Sequence, residues 1–270
     1  MKYDMVITDF DGTLSSGEGK IDAETLKSIK EYIDRGGKFV ICSGRMTSSV
    51  KYVSELNGLK SVAVSNQGAS IDDLETGENL FSGGIPVPLA IDIAERFLSD
   101  GMEVLAVIDE KFYYEQSTEW TLACASWVDS VGIFTASITD TIRNIGKPVK
   151  KLCAYAPRPI IKKYTEIYNR DFSGVTFNNG SPDIVEAIMP ECSKGAAVRF
   201  LSKKFNIPFN KILTCGDSTN DIELVKGEWH GVAVGDGMED LKRVAKEVTV
   251  PFSEHPVKVL PEKYCLKDAN

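Results

Sequence analysis

A chain of 270 residues is long for one compact domain and comfortable for two. Its 43% hydrophobic and 26% charged residues suit a folded protein with a real core and exclude wholesale disorder. The formal net charge is −8 and no Lys/Arg cluster is visible, so the chain lacks the basic face that neutralises nucleic-acid phosphates.

The chain opens on Met-Lys-Tyr-Asp and passes at once into a β-rich run, Tyr3 to Thr8, that ends at Asp9. No charged-then-apolar leader precedes it. Asp22 can cap a helix over 23–35, with Leu26, Ile29 and Ile33 on one face and Gly36-Gly37 as its stop. Residues 38–42 read as a strand, the following turn and helix run through Leu56, and 61–64 form a third strand. Strands separated by helices imply parallel pairing in a layered α/β sheet. The rhythm changes over 70–85, a hairpin turning at Glu75-Thr76-Gly77, and Pro86-Val87-Pro88 reads as a linker. From 89 to 188 the pattern is a helix (89–99), strands (103–108 and 111–115), helical pieces, a strand (151–156), a helix (159–169) and a closing hairpin (174–178 and 183–188). Met189-Pro190 is the return linker. Then Ser193 caps a helix with Val198, Leu201 and Phe205 on one face, followed by strand 211–215, helix 221–226, strand 231–234, helix 238–246 and strand 247–250. The expected architecture is an α/β fold: a Rossmann-like parallel-sheet core from residues 1–85 and 190–270, with an α+β domain inserted over 86–189.

The apolar stretches around Met5 to Ile7 and Val104 to Ile108 are strand-length, far below a membrane span. The six cysteines (Cys42, Cys124, Cys153, Cys192, Cys215 and Cys265) are scattered and form no C-x-x-C pair. That scatter points to free thiols in a cytoplasmic protein rather than a disulfide frame or zinc site. With only His230 and His255 available, a histidine-based metal site or triad is not expected.

Asp9-Phe10-Asp11-Gly12-Thr13 is the sharpest chemical signal. Two carboxylates stand two residues apart where the first strand ends, and open parallel sheets bind ligands outside the carboxyl ends of their strands. Gly12 lets the chain turn and bring backbone N–H groups close to an anion. Gly216-Asp217-Ser218-Thr219-Asn220-Asp221 follows another apolar strand and brings two more acids. Four acids in one crevice repel one another unless a cation is present, and magnesium, a hard ion that prefers carboxylate and phosphate oxygens, fits. Ser43-Gly44-Arg45 also follows a strand, and a hydroxyl and a glycine N–H at a helix start make a small anion cradle. Lys194-Gly195 is a weaker signal, because a lysine at a helix start is ordinarily solvated. Its place after the returning linker gives it interest.

Together these segments resemble the haloacid dehalogenase superfamily over nearly the whole chain. Asp9 to Thr13 looks like its first motif, Ser43 its second, Lys194 its third, and Gly216 to Asp221 its fourth. Asn66-Gln67-Gly68-Ala69 resembles the Asn-Gly-Ala stretch of the Cof-type branch with a glutamine inserted, and the α+β insert resembles the cap of that branch. Two positions depart from the branch: Asp236 stands where Asn is usual, and Ser253 to Val257 lacks the usual Asp-Gly-Val.

The resemblance and the residue chemistry imply a phosphatase in which Asp9 is the nucleophile and Asp11 the general acid and base. Ser43, Gly44, Arg45, Lys194 and Asn220 would hold the phosphoryl group or substrate. Asp9, the Asp11 carbonyl, Asp217 and Asp221 would serve magnesium. The implied partner is a small phosphorylated metabolite, a sugar or polyol phosphate, met by polar groups such as Asn178, Asn179, Ser181 and Asp183. Neither nucleic acid nor membrane is expected as a partner, and the chain would be a monomer or small homo-oligomer. A phosphosugar mutase and a non-catalytic phosphosugar sensor are the alternatives.

Overall fold

The computed structural model describes residues 1–16, 19–121, 132–181 and 183–266. Cys124 and the side chain of Ser181 lie outside the described residues. The chain divides into two compact units, Met1–Leu80 with Lys194–Asn270, and Phe81–Ser193.

In the first unit, β1 (Met5–Thr8), β2 (Lys38–Cys42) and β3 (Val62–Ser65) are parallel neighbours, with helix Ala23–Asp34 after β1 and helix Thr47–Leu56 after β2. Asp22 caps the first of these helices as expected: its carboxylate accepts the Glu24 and Thr25 N–H groups. β4 (Ser70–Asp73) turns antiparallel to β3, and β5 (Asn79–Ser82) lies beside β4.

The second unit holds β6 (Glu103–Ile108), β7 (Lys111–Tyr114), β8 (Ile133–Phe134), β9 (Lys151–Tyr155), β10 (Thr176–Ser181) and β11 (Ile184–Ile188). They form one sheet in the order β10-β11-β9-β6-β7-β8, antiparallel except for β7 with β8. Alternate residues such as Val104, Ala106, Leu152, Ala154, Val185 and Ala187 form a buried core with Phe97 and Tyr168 of helices Val87–Ser99 and Arg158–Asp171. Helix Val87–Ser99 begins earlier than the linker reading allowed. Pro88 sits in its first turn, where the N–H that proline lacks has no helical acceptor to lose.

The chain returns to the first unit through helix Lys194–Phe205 and adds β12 (Ile212–Gly216), β13 (His230–Ala233) and β14 (Glu247–Val248). The complete sheet runs β14-β13-β12-β1-β2-β3-β4-β5. Val6, Ile29, Tyr32, Phe39, Ile41, Leu213, Val232 and Leu260 are buried together, each such apolar side chain contributing about 1.5–3 kcal/mol. Two readings change here. The helix expected over 238–246 is a single turn, Glu239–Lys242, and a helix at Pro256–Pro261, packed on Ala23–Asp34, was not foreseen. No helix among the described residues is long and apolar enough to cross a membrane.

Candidate active site

β1 lies between β12 and β2, with Thr8 aligned to Cys215 on one side and to Ile41 on the other. The residues that follow these parallel strands therefore emerge side by side: Asp9 after β1, Asp217 after β12 and Ser43 after β2. Chain order reverses across β1, and such a switch point leaves a crevice at the carboxyl edge.

Asp9 is fixed by its backbone N–H, which donates to the Cys215 carbonyl at 2.8 Å. Its carboxylate is buried, 6% exposed, and meets the Lys194 ammonium at 2.5 Å. Lys194 is only 2% exposed and donates equally to Asp221, at 2.6 Å. A solvated helix-start lysine is therefore the wrong description: the charge sits between two acids brought by distant strands. The other Asp221 oxygen accepts the backbone N–H groups of Asp217 and Ser218 at 3.1 and 3.2 Å, so Asp221 ties its own loop to Lys194. Asp217 accepts the Thr13 hydroxyl at 2.7 Å. Gly12 is required twice over: its φ is +81°, and a Cβ there would stand 2.7 Å from Asp217 Oδ2.

Asp11 is placed differently. Its carboxylate receives a two-pronged ion pair from Arg45, Nε to Oδ2 at 2.8 Å and Nη2 to Oδ1 at 2.7 Å. The Arg45 guanidinium also lies 4.9 Å from the centre of the Phe10 ring. Sequence reasoning gave Arg45 to the phosphate and missed this partner. Ser43 Oγ accepts the Arg45 N–H at 3.1 Å, a local cap at the start of the loop. Gly44 is pressed against Gln67, whose Nε2 would lie 2.7 Å from a Cβ on Gly44. Asn220 is half-buried and accepts the Ser218 hydroxyl.

The acids form the cation-binding potential of the site. Asp9, Asp217 and Asp221 each offer a carboxylate oxygen, all within 4.8 Å of one another. Burial, and then the charge of Asp221, pushes the Asp9 carboxyl well above the usual carboxylate range, with Lys194 pulling the other way. Burial also pushes Asp217 up to about 6. For Lys194, burial opposes the charge, but Asp221 and Asp9 outweigh it and hold the ammonium well above the usual lysine value. Three carboxylates against one ammonium leave excess negative charge in a buried space, which a hard divalent ion would neutralise. This donor set of oxygens fits magnesium.

A parallel-sheet α/β domain with an acid at the end of each of two central strands and a buried lysine between acids has the layout of an enzyme site. The chain belongs to the haloacid dehalogenase-like hydrolase family, whose model matches residues 6–258. The chain is a phosphatase, as expected from the sequence: this hydrolase family match is joined by relatives that are named phosphatases and align over most of its length. One is the 5-amino-6-(5-phospho-D-ribitylamino)uracil phosphatase of Bacillus subtilis, 23% identical, covering 96% of this chain and 97% of the relative. A haloacid dehalogenase-like hydrolase from B. subtilis shares the fold with a TM-score of 0.87 at 22% identity, covering 97% of this chain and 100% of its own. A subclass IIB sugar phosphatase shares it with a TM-score of 0.82 at 20% identity, covering 97% and 98% of the two chains.

Proposed function

We propose that this enzyme is a magnesium-dependent phosphatase that cleaves a small phosphate ester, a sugar or polyol phosphate, through a phosphoryl group carried on Asp9. The observation that carries the reading is the Asp9 carboxylate, buried at the switch point with one oxygen on Lys194 and further acids beside it. A free Asp9 oxygen bonds to phosphorus as the bond from phosphorus to the ester oxygen breaks. Asp11 gives its proton to that departing oxygen, which leaves as an alcohol. The Asp11 carboxylate then takes a proton from water as the water oxygen bonds to phosphorus and the Asp9–phosphorus bond breaks. Phosphate leaves and Asp9 returns as a carboxylate. Arg45 occupies both Asp11 carboxylate oxygens at rest, so the pair has to part before Asp11 can reach the departing oxygen.

Ser43, the Gly44 N–H, Arg45, Lys194 and Asn220 would bind the phosphoryl oxygens and substrate, where positioning and charge supply most of the catalysis. Asp9, Asp217, Asp221 and the Asp11 carbonyl would hold magnesium, which supplies charge neutralisation to the transferring group. A small phosphorylated metabolite is supported by the relatives, whose names specify a phosphoribityl compound and a sugar. The five cysteines among the described residues are buried and in no disulfide, which supports a reducing cytoplasm. The test is a phosphate-release screen over phosphorylated metabolites with magnesium. The reading requires release that Asp9→Asn abolishes, and equal release by that variant would overturn it.

A further inference from the structure

Asn66 carries two penalties at one position. It follows β3, the strand beside β2, and its backbone N–H donates to the Arg45 carbonyl at 2.7 Å, so it adjoins the Ser43–Gly44–Arg45 loop. Its φ is +50°, in the left-handed region, and Gln67 follows at +62°. It is 0% exposed, and among the described residues neither its side-chain nitrogen nor its side-chain oxygen has a hydrogen-bond partner. Asparagine tolerates a left-handed backbone better than most residues, but it still costs more there than glycine, and a buried carboxamide that bonds to nothing adds a larger cost. Glycine would relieve both at once.

The surrounding bonds indicate what the carboxamide is for. In the resting arrangement the loop satisfies itself: Ser43 Oγ accepts the Arg45 N–H at 3.1 Å, and the Arg45 guanidinium is engaged by Asp11. A phosphate monoester dianion, rich in acceptors, draws hydroxyl, N–H and guanidinium donors toward itself and breaks those internal bonds. Asn66 is the buried neighbour whose donor and acceptor are uncommitted. It also lies between the two segments assigned to the phosphate, because 66–68 packs against helix Lys194–Phe205. We propose that Asn66 is a positioning residue for phosphate, its carboxamide bonding to the Ser43–Gly44–Arg45 loop in the arrangement that loop takes when a phosphoryl group or inorganic phosphate is seated. The inference rests on the phosphatase reading and adds to it the group that stabilises the filled cradle.

The test compares the parent enzyme with Asn66→Gly, which keeps the left-handed backbone and removes the amide. It measures thermal midpoint, inhibition by inorganic phosphate, and KM against kcat for an aryl phosphate with magnesium. The expected result is a midpoint equal to or above the parent's, with the phosphate inhibition constant and KM raised together by about ten-fold or more. A purely structural role would lower the midpoint and leave phosphate inhibition within two-fold, and that result overturns the assignment. Asn66→Asp, of the same size and tolerant of the same φ, serves if the glycine variant does not fold. Its added negative charge should weaken phosphate inhibition at least as much, and unchanged inhibition would again overturn the assignment. A parent that neither turns over the aryl phosphate nor is bound by phosphate overturns the phosphatase reading itself, a failure distinct from phosphate binding equally well to parent and variant.

Discussion

Replacing Lys194 with methionine separates a buried electrostatic hub from a surface lysine. At a solvated helix start the change would fall within about 0.5 kcal/mol. Here the ammonium is 2% exposed and lies 2.5 Å from Asp9 and 2.6 Å from Asp221. Methionine fills most of the same volume, so little of the loss is cavity. What remains is buried carboxylate without its partner, and removing one member of a buried ion pair costs about 3–5 kcal/mol. The protein can limit that cost by protonating Asp9, whose carboxyl burial and Asp221 already push well above the usual range. The expected loss is therefore about 3 kcal/mol at pH 7 in EDTA, shrinking toward pH 5 as Asp9 and Asp217 take up protons. Urea denaturation at the two pH values measures it, with an unchanged m-value marking a stability effect. Turnover should fall by at least about a hundred-fold as well. A Lys194→Met protein with the parent's urea midpoint at pH 7 would refute the assignment of Lys194 as the counter-ion of these acids.

Three further outcomes follow from the same site. Exhaustive chelation should abolish turnover and added magnesium restore it, since Asp9, Asp217 and Asp221 offer oxygen donors only; full activity after chelation would remove the metal from the account. Asp217, pushed up to about 6 from an ordinary 3.8, keeps a proton in the folded state that the unfolded chain has already lost between those values. Metal-free protein should thus lose on the order of 2 kcal/mol as pH rises from 4 to 6, a share that Asp217→Asn removes in matched urea titrations. Gly12→Ala should cost about 1–2 kcal/mol from its left-handed backbone and more in activity, because the new Cβ meets Asp217; parent-like kinetics would show that Asp217 can move freely.

Much of the first unit could be read from short-range signals. The strand that ends at Asp9, the Asp22 cap and the alternation of strand and helix are local patterns, and the parallel sheet follows from them. The acids were legible for the same reason, since each follows an apolar strand. Other features depend on partners far along the chain. The burial of Lys194 is created by Asp9, 185 residues away, and Asp221, 27 away, and nothing in Ser193-Lys194-Gly195 marks it. The Arg45–Asp11 pair spans 34 residues, and nothing local to Ser43-Gly44-Arg45 announces it. The helix at Val87 was masked by two prolines that forbid a helix interior but are at home in its first turn. Asn66 and Gln67 offered a faint signal, an asparagine-containing turn after a strand, but their φ values and the unpaired amide are tertiary facts.

The claim that Asp9 carries the phosphoryl group is tested most directly by trapping it. Enzyme mixed with magnesium and a phosphate ester labelled in the phosphoryl group is quenched in acid within the first turnover, and the protein is digested and mapped. The account predicts an acid-stable, hydroxylamine-labile label on the peptide that contains Asp9, absent from Asp9→Asn. Turnover in the parent with no covalent label at any quench time, or a label on another residue that persists in Asp9→Asn, would contradict it.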